Sequence, residues 1–143
     1  MDFRQVYDRM DKRVYIKGDL EKVFEIMSMV PRFANMGLRH IRRLIIPPLT
    51  LGQYEIYEEP VCFASWALLS DRISEGYKTG TYNLQSDDWN TGENLWLINI
   101  LCPEGGGSAS LRRLDRMRKE MGLPDVINYK RLGNERVNNV QRI

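Results

Sequence analysis

The sequence predicts an α/β (α+β) fold in which a mixed central sheet carries helices on both faces. Three observations lead to this prediction. Two amphipathic helical segments come first, several short apolar runs of strand length follow, and a glycine loop with a third helix separates the later strands. The resulting order of elements is α-α-β-β-(β)-β-α-β-β, and 143 residues suit a single domain with one hydrophobic core.

The first helix is expected to begin at Asp19, a good N-cap. Its apolar residues recur at the i, i+3, i+4, i+7 spacing until Pro31 ends it. Residues 1–17 are polar and charged, which predicts an N-terminal arm that needs a partner surface to be ordered. The remainder, residues 18–143, is expected to form the domain itself.

The next segments indicate a second helix and a series of strands. The helix in "NMGLRHIRRLIIPPL" is expected to stop at Pro47 and Pro48. Strands are predicted near Gln53–Tyr57 and Val61–Leu68. The segment that follows is polar and contains glycine, so we expect a loop with a short third strand around Thr81–Leu84.

The run "LWLINILC", Leu95–Cys102, is apolar and flanked by turn signals, which predicts a central strand buried on both faces. The helix after the glycine loop is expected to have Ser108 or Ser110 as its N-cap. Two short strands then flank Gly133-Asn134, a dipeptide typical of a β-hairpin turn.

Composition excludes several classes of function. A net charge of +2 is too mild to indicate nucleic acid by itself, and one histidine without a CxxC pair argues against a metal site. Cys62 and Cys102 lie in apolar runs and are expected to be buried free thiols. No apolar stretch approaches the roughly 20 residues of a membrane helix, and no signal peptide is recognisable, so we expect a protein made in the cytoplasm.

The glycine loop after the central strand is the first candidate site. Consecutive glycines let backbone N–H groups approach a ligand, and the N-terminus of the next helix adds unpaired donors and a positive dipole end. Such a loop suits the phosphate of a phosphopantetheine arm, although three glycines also make an ordinary loop. The residues of this candidate site are Pro103, Gly105, Gly106, Gly107 and Ser108.

Two basic runs form a second candidate, a surface for an acidic partner such as an acyl carrier protein or a nucleic acid. Each run also fits a solvated helix face. The first run contains Arg39, Arg42 and Arg43, and the second contains Arg112, Arg113, Arg116 and Lys119. No nucleic-acid recognition motif accompanies them, so nucleic acid ranks last among the partners.

Two single residues could belong to a site. Asn99 interrupts the central strand, and a buried asparagine must find hydrogen-bond partners, so it is either structural or placed for a ligand. His40 lies beside the apolar face of the second helix, where a lone histidine is more often structural. The sequence shows no nucleophile–base pair such as a GxSxG motif.

Two segments resemble the core of a known family. "PVCFASWALLS", Pro60–Ser70, and "DDWNTGENLWLINILCPEG", Asp87–Gly105, are similar to the RTX toxin-activating lysine acyltransferases, which show Ser-Trp-Ala, Asp-Trp-x-Ser/Thr-Gly and Pro-x-Gly at this spacing. The resemblance covers roughly residues 20–143 and is strongest over 53–107. It implies a GNAT-like fold and transfer of a fatty acyl group from acyl carrier protein to a lysine side chain of a protein.

The resemblance also implies two site residues, a histidine near the start of the second helix and an aspartate in the strand before Pro-x-Gly. These positions fall on Phe33 and Asn99 in this chain. Asparagine cannot serve as the carboxylate, and His40 lies two helical turns beyond Phe33, about 10 Å along a helix. A general base is typically worth about 10²–10⁴-fold in rate, so its loss argues against the family reaction.

These observations favour a non-catalytic GNAT-like module, a pseudoenzyme that acts as a structural or interaction protein, for instance a phage virion or assembly component. Its partners would be other protein chains, bound through the N-terminal arm and the basic faces, and no cofactor is expected. The first alternative is a protein-lysine acyltransferase that takes its acyl group from the phosphopantetheine of acyl carrier protein. A nucleic-acid-binding protein is the third hypothesis.

Overall fold

The computed structural model describes residues 18–105, 107–130 and 137–141. The predicted arm, residues 1–17, and the predicted turn at Gly133-Asn134 lie outside the described residues. The elements in chain order are α1 (residues 18–28), α2 (Pro31–Ala34), α3 (Leu38–Leu44), α4 (Ile46–Leu51), β1 (Tyr54–Glu58), β2 (Val61–Leu69), α5 (Asp71–Thr79), β3 (Asn94–Leu101), α6 (Gly107–Met121), β4 (Val126–Lys130) and β5 (Val137–Gln141).

The strands form one mixed, five-stranded sheet in the order β1-β2-β3-β4-β5. Neighbouring strands are antiparallel except β3 and β4, which run parallel. β3 occupies the middle of the sheet and is buried on both faces, as its continuous apolar run predicts. The predicted closing pair of strands is confirmed by the antiparallel β4 and β5.

Helices cover both faces of this sheet, which confirms the predicted fold class. On one face, α6 brings Leu114 into a buried cluster with Trp66 and Leu97. On the other face, α1 and α4 cover Phe63, and α5 packs beside Trp96. The architecture is therefore a GNAT-like α/β domain, in which the helices of the first half of the chain lie on the face opposite α6.

The second predicted helix is two helices in the structure. Pro47 and Pro48 do not stop a helix; they lie in the first turn of α4, which follows α3 after Ile45. The first turn tolerates proline because its N–H groups have no partner within the helix. The two prolines therefore begin a helix where the sequence pattern predicted an end.

The segment after β2 differs most from the prediction. Residues Asp71–Thr79 form α5, and the strand predicted around Thr81–Leu84 is wrong. Ser70 caps this helix, because its Oγ accepts a hydrogen bond from the Ile73 N–H at 3.3 Å. The helix is stabilised by packing on β2 and β3, and a mostly polar sequence does not reveal such tertiary packing.

The two cysteines are joined in a disulfide, so the prediction of free thiols is wrong. The antiparallel register of β2 and β3 pairs Phe63 with Leu101. The next residues outward, Cys62 and Cys102, therefore face each other, and their Cα atoms are 4.3 Å apart. The apolar run correctly predicted that Cys62 is buried, but no local pattern predicts the strand register that places Cys102 opposite it.

Candidate functional site

A cavity of about 370 Å³ lies where the pairing of β3 with β4 ends, and it is called the β3 cavity below. Leu97 and Tyr129 form the last pair of the parallel ladder. The next residues on the two strands, Ile98 and Lys130, both line the cavity. Crevices near the carboxyl ends of neighbouring parallel strands are common ligand sites in α/β proteins.

A β-bulge in β3 shapes the β3 cavity. Ser65 of β2 pairs with Asn99, but the next residue, Trp66, pairs with Leu97, so Ile98 is an extra residue on β3. Successive residues of a regular strand point to opposite faces of the sheet, whereas Ile98 and Asn99 both line the β3 cavity. The bulge thus brings the one polar residue of an apolar run to the crevice.

Asn99 is 3% exposed and is held by two hydrogen bonds. Its Nδ2 donates to the Leu44 carbonyl oxygen at 2.9 Å and to Ser65 Oγ at 2.8 Å. Because a carbonyl oxygen only accepts hydrogen bonds, the atom that faces Leu44 must be the amide nitrogen. Asn99 Oδ1 is then an acceptor that no described residue engages, in a side chain that lines the β3 cavity.

The two positions that the family resemblance pairs come together in the structure. Phe33, on α2, lines the β3 cavity together with Asn99. Arg32 stacks on the Phe33 ring, with its Cζ 5.5 Å from the ring centroid. His40 is exposed on α3 and does not line the β3 cavity. The histidine therefore does not occupy the place that Phe33 holds.

The β3 cavity is largely apolar and contains three cationic side chains. Arg32, Arg43 and Lys130 line it, and no carboxylate is among its described lining residues. Lys130 Nζ lies 3.8 Å from the centroid of the Tyr77 ring, a cation–π contact. Such surroundings disfavour a further positive charge and favour a neutral, apolar or anionic group.

The tyrosines of the β3 cavity do not supply a base at neutral pH. Burial raises the pKa of Tyr77 to about 12, and its ring packs edge-on against Trp96 with centroids 5.1 Å apart. The Tyr82 hydroxyl donates a 2.6 Å hydrogen bond to Asp88 Oδ2, which raises the pKa of Tyr82. Both phenols stay protonated, so the described lining offers cations and hydrogen-bond donors but no general base.

The predicted phosphate loop is a turn at the end of β3. Gly105 has a φ of 86°, and its N–H donates to the Cys102 carbonyl oxygen at 3.0 Å. A Cβ built on Gly105 would meet no described atom within 4 Å, and glycine serves the left-handed backbone angle here. Neither Pro103 nor Gly105 lines the β3 cavity.

The start of α6 differs from the prediction. The helix begins at Gly107, so neither Ser108 nor Ser110 is its N-cap. The reason is that the backbone enters the helix soon after the left-handed turn at Gly105. Gly106 lies outside the described residues, and a phosphate site in this loop stays a prediction.

The two basic runs lie on opposite faces of the sheet. The first lines a second cavity, of about 480 Å³, and is called the arginine cluster: Arg39, Arg42 and Arg43. The second is exposed on α6: Arg112, Arg113, Arg116 and Lys119. Since α6 covers the other face, the arginine cluster is the run that adjoins the β3 cavity, with which it shares Arg43.

Sequence reasoning missed most of the residues that line the β3 cavity, among them its polar and charged members Arg32, Tyr77 and Lys130. Arg32 is next to Phe33, so the family resemblance pointed to its neighbourhood without naming it. Tyr77 lay in a segment predicted as a loop. Lys130 reaches the cavity only because β4 runs parallel to β3, a pairing between distant segments that no local pattern shows.

No three His, Cys, Asp or Glu side chains are grouped to hold a metal ion within residues 18–105, 107–130 and 137–141. In the same ranges, every helix is too short or too polar to cross a membrane.

Comparison with known proteins shows what this chain is similar to. Residues 18–143 match the model of the RTX toxin acyltransferase family. The lysine-acyltransferase RtxC of Vibrio cholerae is 28% identical over 76 residues, which cover 50% of each chain. The RTX-II toxin-activating lysine-acyltransferase ApxIIC of Actinobacillus pleuropneumoniae is 30% identical over 81 residues, which cover 54% of this chain and 51% of that protein.

A protein of Synechocystis named as uncharacterized, sll0720, is 28% identical over 91 residues, which cover 60% of this chain and 62% of that protein. The chain thus spans about half to three fifths of the length of these curated relatives.

Proposed function

This chain belongs to the RTX toxin acyltransferase family, and we propose that it transfers an acyl group from a thioester donor to a lysine side chain of a protein. Two of the relatives above are named as lysine acyltransferases, which supports this reading over the non-catalytic module that the sequence alone favoured. The observation that carries the proposal is the β3 cavity, in which one crevice is lined by both family positions, Phe33 and Asn99.

The reaction joins a lysine nitrogen to the acyl carbon and releases the thiol of the donor. The nitrogen lone pair attacks the thioester carbon, the C–N bond forms, and the C–S bond breaks. The nitrogen then loses a proton, and the departing thiolate gains one. Because only the neutral amine is nucleophilic, the site must either supply a base or lower the pKa of the incoming lysine.

The β3 cavity has the means to lower the pKa of an incoming lysine. Arg32, Arg43 and Lys130 bring like charges to it, and apolar walls such as Phe33 and Leu44 reduce its hydration. Both effects disfavour the ammonium form, so more neutral amine is present at neutral pH. Lysines buried beside other cations act as nucleophiles elsewhere in this manner.

Asn99 would position the incoming amine. Its Oδ1 can accept a hydrogen bond from the amine N–H, while the bonds from Nδ2 to Leu44 and Ser65 keep the side chain in place. Orientation of the reacting atoms is itself a large contribution to rate. Without a general base, we expect transfer to be about 10²–10⁴-fold slower than in a relative that has one.

The test is an acyl-transfer assay with the purified chain, a palmitoylated carrier protein as donor and a lysine-containing protein as acceptor. Intact-mass spectrometry measures acyl-lysine on the acceptor, and hydroxylamine removes any acyl group held only as a thioester. We expect slow transfer that falls in the Asn99→Ala variant and persists in Asn90→Ala, a change at an exposed asparagine. A folded chain and a loaded donor that yield no acyl-lysine would contradict the proposal.

A second candidate function is the non-catalytic interaction module, located in the cytoplasm or in a virion. Two observations favour it: the described lining of the β3 cavity holds no general base, and the Asn99 amide is tied to Leu44 and Ser65. The same assay separates the two functions. Donor binding without any acyl-lysine, at donor concentrations that saturate the chain, favours the module.

A further inference from the structure

The arginine cluster occupies one face of α3, because Arg39 precedes Arg42 and Arg43 by three and four residues. Its cavity is completed by three uncharged polar residues: Asn83, Gln85 and Ser86. No carboxylate is among the described residues that line it. The cavity is therefore polar and positively charged, in contrast to the largely apolar β3 cavity beside it.

Arg43 is the fixed member of the arginine cluster. Its Nε donates a hydrogen bond to the Leu84 carbonyl oxygen at 2.7 Å, and its own carbonyl oxygen accepts one from Trp89 Nε1 at 3.0 Å. Trp89 is fully buried, so the two contacts tie the end of α3 to the loop that forms the other wall. A guanidinium already held in place loses little freedom on binding a ligand.

Among the described residues, no acid forms an ion pair with the arginine cluster. In the part of the chain that the structure describes, the ion pairs both involve Arg118, on α6, and none involves the cluster. Three cations that share one cavity repel each other, and a bound anion relieves this repulsion. Guanidinium groups bind phosphate oxygens through paired N–H donors, so phosphate is an anion that suits the cluster.

The two cavities adjoin, since Arg43 and Asn83 line both. The cavity of the arginine cluster is lined by guanidinium and amide groups, whereas the β3 cavity is lined by apolar side chains and Asn99. Group carriers such as coenzyme A present their thiol at the end of an arm that carries phosphate at its other end. A donor of this kind would find its phosphate and its thioester accommodated in neighbouring cavities.

We propose that the arginine cluster binds the phosphate of the acyl donor, so that the donor arm enters the β3 cavity from the α3 side. This inference rests on the proposed function, since it assumes an acyl donor. It assigns phosphate binding to α3 instead of the glycine loop or the basic face of α6. The phosphate belongs either to a carrier protein's phosphopantetheine or to coenzyme A, and the chemistry recognised is the same.

The test compares binding of coenzyme A and of pantetheine, which lacks phosphate, by isothermal titration calorimetry. The test variant is Arg39→Gln/Arg42→Gln, which leaves Arg43 and its structural contacts intact. The matched control is Arg112→Gln/Arg116→Gln, which removes the same charge from α6. We expect the test variant to bind coenzyme A about 10- to 100-fold more weakly, while the control variant and all pantetheine affinities are unchanged.

Several outcomes would overturn the inference. If both double variants lost the same affinity for coenzyme A, the loss would be an effect of net charge and not of the arginine cluster. Equal affinities of the parent chain for coenzyme A and pantetheine would exclude phosphate recognition. Thermal melts confirm that the variants fold, and Arg39→Lys/Arg42→Lys retains the charge without the paired donors. A single-stranded oligonucleotide that binds through Arg39 and Arg42, with no binding of coenzyme A or of a carrier protein, would make nucleic acid the ligand instead.

Binding of a carrier protein with its phosphopantetheine, compared with binding of the same carrier without it, identifies the source of the phosphate. Binding that needs both the modified carrier and Arg39 with Arg42 identifies the carrier; binding of coenzyme A alone identifies the free cofactor. These measurements do not depend on acyl transfer. If no acyl-lysine forms but the variants behave as expected, the phosphate site stands and the proposed function fails. If transfer occurs and coenzyme A and carrier binding are unchanged in the test variant, the phosphate site fails.

Discussion

Asn99 is the residue whose chemistry matters most. The family pattern has an aspartate at this position, but here the side-chain atom 2.9 Å from the Leu44 carbonyl oxygen must be a donor. A carboxylate would face that carbonyl with two acceptors and no proton between them. The surroundings of Asn99 are thus built for an amide, and restoring the family residue would disturb them.

The Asn99→Asp variant is expected to be less stable than the parent chain by about 1–3 kcal/mol at pH 8. We expect burial and the Leu44 carbonyl to raise the pKa of the introduced carboxyl above its unfolded value of ~3.9 by more than the cations of the β3 cavity lower it. With a raised folded-state pKa, stability falls as pH rises from the unfolded pKa to the folded one, so the deficit shrinks at pH 4.5.

Urea denaturation of both proteins at pH 4.5 and pH 8 measures this deficit. Asn90→Asp, at an exposed asparagine, is the control and should stay within about 0.5 kcal/mol of the parent. A deficit that is the same at both pH values would show that the charge of the new carboxyl plays no part.

The cations of the β3 cavity give a second prediction at the residue scale. In the Arg32→Gln and Lys130→Gln variants, the substrate lysine loses a like charge, so its pKa in the bound state should rise. The ascending limb of the pH profile of kcat should therefore move to higher pH, with a larger loss of rate at pH 7 than at pH 9.

The control for this shift is Lys78→Gln, an exposed lysine on α5 that does not line the β3 cavity. Because the pKa of Tyr77 is about 12, no descending limb from that group is expected between pH 7 and pH 9. An equal loss of rate at every pH would mean that Arg32 and Lys130 act on structure and not on the amine.

At the scale of elements, the turn over residues 88–92 connects α3 with the sheet. The N–H groups of Thr91 and Gly92 both donate to the Leu68 carbonyl oxygen, at 2.7 and 3.1 Å. Trp89 Nε1 holds the end of α3 through the Arg43 carbonyl. The Asp-Trp-Asn-Thr-Gly motif is therefore a structural clamp that positions the arginine cluster.

The Gly92→Ala variant should be destabilised by about 3 kcal/mol or more, because a Cβ there would lie within 2.6 Å of the Leu69 carbonyl oxygen and the Ser70 backbone. Gly18→Ala, where a Cβ would meet no atom of the described residues within 4 Å, is the control. Thermal unfolding of the two variants measures the difference, and a Gly92→Ala protein as stable as the control would refute the close approach.

The sequence predicted some elements well for identifiable physical reasons. β1, β2 and β3 begin and end within a residue of their predicted bounds, because alternating or continuous apolar residues and nearby turn signals mark them. α5 was missed because only Ile73 and Tyr77 supply apolar contacts to its packing face. The crevice was missed because it depends on a bulge and on parallel pairing, and both are set by distant parts of the chain.

At the scale of the whole molecule, the disulfide joins the start of β2 to the end of β3 across 40 residues of sequence. Closing a loop of this length is expected to stabilise the fold by about 2–4 kcal/mol. Reductant should therefore lower the urea midpoint of the parent chain and leave that of a Cys102→Ala variant unchanged. Two free thiols in the unfolded chain, before any reductant is added, would contradict the disulfide.

The bulge at Ile98 also determines which residues of β3 point to each face of the sheet. Before it, Leu95 and Leu97 face α6; after it, Ile100 does. If β3 kept Ile98 but had no bulge, its residues would alternate regularly from Leu95 and Leu97 onward, and Asn99 would fall on the α6 side, among Leu114 and Trp66. The bulge, a single extra residue, therefore places the polar side chain of β3 on the face with the β3 cavity and not on the face that packs against α6.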